Sequence, residues 1–246
     1  ADRIIVATDA EKAQLQWLYK GDLQKMEVVP PGVDVSHFYP IPKDEARQYM
    51  GLSREQRVVL FVGRIEPLKG VDTLIRAMSC MKFQSVAHPV YLAIIGGEPD
   101  ADPDEMTTEM ARLQKLCDEL AMGQTVVFLG KRAQDTLPYY YSAAEVLVMP
   151  SFYESFGMVA LEAMACGTPV IASQVGGLAF LVRDGETGYL VPEGDPIALC
   201  DKLALLLGDQ DLREKMGVTA RAYAQGYRWE KIADQIAGVY EDLLRK

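Results

Sequence analysis

"EVLVMPSFYESFGMVALEAMACGTPVIAS", Glu145 to Ser173, is the stretch on which the fold turns. It reads as an apolar run, a turn, a helix, a stop and a second apolar run. "EVLVMP" and "PVIAS" are apolar on both faces, as strands covered from two sides must be. Between them, helical propensity begins near Gly157, with Ser155 as the expected N-cap. "CGTP", Cys166 to Pro169, ends the helix with a glycine past the last turn and a proline opening the next strand.

The same punctuation repeats outward. "RIIVAT", "VVLFVG", "VYLAIIGG", "TVVFLG" and "TGYLVP" are further short runs rich in Val, Ile and Leu, separated by helical patterns. The fold class is therefore α/β, a doubly wound parallel sheet. Helix starts are expected at Asp72 before "TLIRAM", at Pro103 opening "DEMTTEMARLQKLCDEL", and at Asp195-Pro196 opening "IALCDKLALLL". "VVPPGVDVSHFYPIP", residues 28–42, reads as a linker, because Pro30, Pro31, Pro40 and Pro42 forbid a helix. It separates a short amino-terminal piece, 1–27, from a main domain over 43–226. Residues 227–246 read as one amphipathic helix, with Trp229, Ile232, Ile236, Val239, Tyr240 and Leu243 at three-and-four spacing.

Composition narrows the function. With 35 acidic and 25 basic residues the formal net charge is -10, which argues against nucleic acid or an anionic membrane as a partner held by bulk electrostatics. An anionic ligand then needs a local basic pocket. Cys80, Cys117, Cys166 and Cys200 are far apart in sequence, and only His37 and His88 accompany them, so neither a disulfide framework nor a zinc site is expected. A reducing cytoplasm fits this usage, and neither a signal peptide nor a membrane-length apolar run is present in the given sequence. The chain opens on "ADRIIVAT", already a strand pattern, as a fragment or trimmed product would.

In open parallel sheets ligands bind beyond the carboxyl ends of the strands. The loops at those ends carry charge here: Arg64 and Lys69 in "GRIEPLKG", Lys131 and Arg132 in "GKR", and Glu154 in "PSFYESFG". Gly63 lets backbone come close; the arginine fork, the lysine point charge and a following helix start suit a diphosphate. Glu162 is the single charge on an otherwise apolar helix, where Met158, Val159, Leu161, Met164 and Ala165 cover nearly every direction. A buried carboxylate must meet a cation, donate a proton, or face a polar ligand. It sits about 8 Å along the axis from Gly157, within reach of a ligand over the helix start, and its two oxygens match the two hydroxyls of a ribose. The N–H groups of Phe156, Gly157, Met158 and Val159 would face phosphate. Two other readings stand beside this one: a core glutamate paired to a structural arginine with a solvated Glu154, and the acid and nucleophile of a glycosidase. A dehydrogenase is disfavoured, since neither G-x-G-x-x-G nor a Walker loop occurs.

Together "FVGRIEPLKG", "FLGKR", "PSFYESFGMVALEAMACGTPVIAS" and "DGETGYLVPEGD" resemble the carboxyl-terminal, donor-binding half of the family-4 retaining glycosyltransferases of GT-B fold. The closest flavour is that of the sucrose-phosphate-synthase-like and mycothiol-glycosyltransferase-like members, although Phe180 stands where many relatives have a glutamate. The resemblance implies transfer of a hexose from a nucleoside diphosphate sugar, UDP-glucose or a related donor, to an acceptor hydroxyl, with retention and without a metal or cofactor. It implies that Arg64 and Lys69 hold the diphosphate and, with Glu154 on the donor sugar, form the catalytic set. Glu162 would hold the ribose, Arg132 would lie along the base, and the Lys131 and Arg132 backbone would read its edge. Gly63 and the backbone from Phe156 to Val159 would complete the donor site. The acceptor, a sugar or small molecule, belongs in the family to an amino-terminal domain, of which "ADRIIVATDAEKAQLQWLY" resembles only the last strand and helix. That domain also carries a histidine that neither His37 nor His88 can supply. Without it, the alternative is a nucleotide-sugar binding module that turns nothing over. The acidic group Asp100, Asp102, Asp104 and Glu105 reads as a solvated loop and helix start rather than a metal site.

Overall fold

A computed structural model describes residues 1–81, 88–100 and 107–245. In chain order the elements are β1 (Ile4–Val6), α1 (Asp9–Tyr19), β2 (Met26–Val28), α2 (Lys43–Tyr49), β3 (Arg57–Val62), α3 (Val71–Met81), β4 (Val90–Ile95) and α4 (Thr108–Glu119). There follow β5 (Val126–Gly130), α5 (Leu137–Ala143), β6 (Val146–Met149), α6 (Met158–Ala165), β7 (Val170–Ser173) and α7 (Leu178–Leu181). The chain ends with β8 (Gly188–Val191), α8 (Pro196–Gly208), α9 (Gln210–Ala224) and α10 (Trp229–Leu244).

Six strands form one parallel sheet in the order β5-β4-β3-β6-β7-β8. The chain winds outward from β3 in one direction and from β6 in the other, which is the doubly wound order, and its switch point lies between β3 and β6. Both faces are buried, as the apolar runs require. On β3, Val59 and Phe61 join α3, α4 and α8 in one core, while Val58, Leu60 and Val62 join α5, α6 and α7 in the other. On β6, Val146 and Val148 face the first core and Leu147 and Met149 the second. This two-residue alternation is the strand's own geometry.

All seven expected strands are present, and β2, too short to stand out beside the prolines, is an eighth. β1 and β2 pair in parallel as a separate two-stranded sheet. Residues 29–42 hold neither helix nor strand, yet Val29, Val33, Phe38 and Ile41 are buried, and Val33 N–H donates to the Tyr227 carbonyl at 2.8 Å. The carboxyl-terminal helix packs Ile232 and Val239 against Val29, with Ile236 beside them, whereas Trp229 and Tyr240 of the expected stripe are exposed.

Of the expected helix starts one stands as read and two differ in detail. Asp195 caps α8 as expected, accepting from the N–H groups of Ile197 and Ala198 at 3.0 Å. Asp72 lies inside the first turn of α3 rather than before it. The N-cap of α6 is Gly157, at φ 105°, and not Ser155; no side chain caps this helix. The start expected at Pro103 falls outside the described residues, and α4 is seen from Thr108 with Thr107 as its cap. Distance along the chain misleads for one pair of cysteines: Cys80 and Cys200 meet between α3 and α8 with their Sγ atoms 2.6 Å apart.

Candidate functional site

A cavity of about 270 Å³ opens at the switch point, beyond the carboxyl ends of β3 and β6. Its walls include Gly63, Arg64 and Lys69 from the loop after β3, Ser151 and Glu154 from the loop after β6, and Phe156 to Val159 at the start of α6. These two loops are stitched together. Phe152 N–H donates to the Leu68 carbonyl at 2.9 Å. Gly70, at φ 64°, ends the turn Pro67–Lys69, and a Cβ there would stand 2.0 Å from the Pro150 carbonyl oxygen. Only glycine permits both that conformation and that approach. From the other side Gly177 N–H donates to the Glu154 carbonyl at 2.9 Å, and Gly176, at φ 46°, lies so close that a Cβ would be 2.0 Å from the same oxygen. The loop from Pro150 to Glu154 is thus held at both ends by glycine-dependent contacts.

The side chains follow from this placement. Lys69 Nζ lies 2.6 Å from Glu154 Oε2, with side-chain exposures of 19% and 15%. Arg64 pairs with Glu66 at 2.6 Å but is largely exposed, so its guanidinium is free to swing. Ser151 is buried, and its Oγ has no hydrogen-bond partner among the described residues. With no side chain capping it, the partial positive start of α6 opens on the cavity beside Lys69. The arrangement sets a cation and a helix start, both suited to an anion, next to a carboxylate.

Glu162 lies apart from this cavity's lining. It is buried on α6 and meets no arginine; its Oε2 accepts from the Tyr141 hydroxyl of α5 at 2.7 Å. Burial raises its pKa, opposed by that hydrogen bond and by the nearby His37. Burial, then the charge of Glu162, pushes the Tyr141 hydroxyl well above its ordinary value. The structural-arginine reading of Glu162 is thereby corrected: its partner is a tyrosine. Lys131 and Arg132 also stand outside the cavity. Lys131 pairs with Glu98 at 2.5 Å on the surface, holding the Glu98 carboxyl below its usual range, and Arg132 Nε donates to the Tyr140 hydroxyl at 2.8 Å. His37 Nε2 lies 3.1 Å from the Gln134 carbonyl, in the segment between Arg132 and Tyr140.

Ser151 and Tyr141 escaped the sequence reading. Serine after a strand carries no signal of its own, and Tyr141 lies twenty-one residues from the carboxylate it serves. Among the described residues no group of three or more His, Cys, Asp or Glu side chains is placed to hold a metal. Of the acidic group near residue 100, Asp102, Asp104 and Glu105 lie outside the described residues. No helix among the described residues is long and apolar enough to cross a membrane.

Residues 42–223 match the family described as Glycosyl transferases group 1. The D-inositol 3-phosphate glycosyltransferase of Acidothermus cellulolyticus is 41% identical over 99% of this chain and 54% of its own length. The chain therefore spans about half the length of the curated relatives it matches. Among solved structures, a sucrose-phosphate synthase of Thermosynechococcus elongatus superposes on 100% of this chain and 59% of its own, with a TM-score of 0.88 and 39% identity. Anabaena HepE, solved in complex with UDP and glucose, covers 98% of this chain and 63% of its own, with a TM-score of 0.85 and 27% identity.

Proposed function

The chain belongs to the group 1 glycosyl transferases, and from that premise we propose that it is the donor-binding half of a retaining enzyme that moves a hexose from a nucleoside diphosphate sugar to an acceptor hydroxyl. The donor is UDP-glucose or a close relative; HepE, solved with UDP and glucose, supports this choice. The single observation that carries the reading is the switch-point cavity, where Arg64, Lys69 and the uncapped start of α6 surround Glu154.

In this reading the diphosphate displaces Glu154 from Lys69. Lys69 and Arg64 then neutralise the charge that grows on the leaving nucleotide, an interaction strongest in the transition state. Glu154, released, accepts from hydroxyls of the donor sugar. The N–H groups at the start of α6 do for the phosphates what a divalent cation does elsewhere, so no metal is required. Glu162 receives the ribose hydroxyls when Tyr141 yields or shares its oxygen, and Arg132 lies along the base. The acceptor is a phosphorylated polyol of the kind named for the Acidothermus relative, held mainly by parts of the enzyme outside this chain. Four cysteines with no framework spacing suit a reducing cytoplasm.

Isothermal calorimetry with UDP, UDP-glucose and GDP, with and without EDTA, tests the reading. UDP and UDP-glucose should bind with EDTA present, and Lys69→Ala should weaken both. Absence of binding at millimolar nucleotide, or affinity untouched by Lys69→Ala, would overturn it.

A further inference from the structure

A second and larger cavity, about 630 Å³, opens at the other end of the sheet. Arg57 begins β3, Glu145 immediately precedes β6 and Pro169 immediately precedes β7, so it lies at the amino-terminal ends of these strands, remote from the switch-point cavity. Helices α2 and α9 supply much of the rest of its wall. Six cationic side chains line it, Lys43, Arg47, Arg54, Arg57, Arg213 and Arg221, against the three carboxylates of Asp44, Glu145 and Glu214. Such a concentration is unexpected in a chain of net charge -10.

The internal pairings leave positive charge over. Glu145 is shared by Lys43 at 3.0 Å and Arg47 at 3.5 Å, and also accepts from the Val58 N–H at 2.6 Å. Arg47 donates to the carbonyls of Ser53 and Gln56, and Arg213 to those of Leu206 and Leu207 at the end of α8. Carbonyls satisfy donors without cancelling a full charge. Arg54 pairs with Asp44 at 3.2 Å on the surface, and Arg57 Nη1 donates to the Arg54 carbonyl at 3.0 Å. Among the described residues Arg221 makes no ion pair. Burial lowers the Arg213 pKa; Glu145 opposes this, and the neighbouring Arg57 adds to the lowering, as expected of two guanidinium groups facing one space.

We infer that this cavity is a second ligand site, for a small molecule carrying a phosphate or diphosphate group held by Arg57, Arg213 and Arg221. Planar guanidinium forks match phosphate oxygens two at a time, and the volume falls in the range of small-molecule pockets. Pro40, Ile41 and Val218 give the uncharged part of such a ligand an apolar wall. The inference rests on charge and shape at this end of the sheet and is independent of what the switch-point cavity binds.

Inorganic phosphate, titrated into the Lys69→Ala protein with sodium chloride at matched ionic strength as the control, reads this site without a contribution from Lys69. Phosphate should raise the melting temperature beyond chloride in a concentration-dependent way. Arg221→Gln, at an exposed position, should weaken the apparent affinity about tenfold, and Arg57→Gln with Arg221→Gln should weaken it further. Far-UV circular dichroism of each ligand-free variant checks that the fold persists; if the double variant unfolds, Arg221→Gln alone decides. An equal shift in chloride, meaning general screening only, or a phosphate shift undiminished by Arg221→Gln, overturns the proposal.

Discussion

Lys69 Nζ and Glu154 Oε2 stand 2.6 Å apart although their residues lie on loops that follow two different strands. The pair is largely shielded from water, so each charge depends on the other until a ligand replaces one of them. Lys69→Ala should leave Glu154 without its cation and a bound diphosphate without one of its charge-assisted bonds. Nucleotide affinity should fall by about 10- to 100-fold, from about 1.5–3 kcal/mol for a hydrogen bond to a charged group. Calorimetry checks this, and a change under threefold would contradict it.

Ser151 supplies a sharper signature of a ligand contact. Its buried Oγ is unpartnered among the described residues, so Ser151→Ala removes an unsatisfied group and should leave the ligand-free protein as stable as before or about 1 kcal/mol more so. Affinity for UDP-glucose should nonetheless fall. Urea denaturation and calorimetry on the same variant separate the two effects; lower stability with unchanged affinity would assign the hydroxyl a structural role.

The buried Glu162 makes a pH-dependent contribution whose sign is fixed by its raised pKa. Between the unfolded carboxylate value, about 4.3, and the raised folded value, the native state holds more protons than the unfolded one. This group's contribution to stability therefore declines as pH rises through that window. Gln does not titrate there and still accepts from Tyr141. The stability of Glu162→Gln relative to the parent should increase from pH 4 towards neutrality; a difference that is flat or falls with pH would contradict the assignment.

Glu145 joins α2, β3 and β6 through Lys43, Arg47 and the Val58 amide, and its side chain is 1% exposed. Glu145→Ala strands the buried Arg47 without its carboxylate. Unfolding free energy should drop by about 3–5 kcal/mol. Chemical denaturation measures it, and a loss below about 1 kcal/mol would show that the Ser53 and Gln56 carbonyls alone suffice for Arg47.

Much of this architecture is readable along the chain because it depends on neighbours. A strand buried on both faces must be continuously apolar, as "VVLFV" and "VLVM" are, and the stop after α6 is written in Cys166 to Pro169. The Asp195 cap is local in the same way: its carboxylate bonds amides two and three residues on. That Arg64, Lys69 and Glu154 line one cavity could be expected because every strand in a parallel sheet delivers its following loop to the same edge. Ser155 has the residue type of a cap, yet the chain turns at Gly157 instead, where φ reaches 105°.

What local pattern does not carry is who meets whom across the fold. Tyr141 on Glu162, Leu68 on Phe152, Cys80 on Cys200, and Arg47 on Glu145 are contacts between residues far apart in sequence. They follow from the order of strands in the sheet and from which helix covers which face. The amino acids determine the elements through propensity and periodicity, forces that act over a few residues. Packing then decides the partners, because only a closed core excludes the water that would otherwise satisfy Glu162, Arg47 and Arg213.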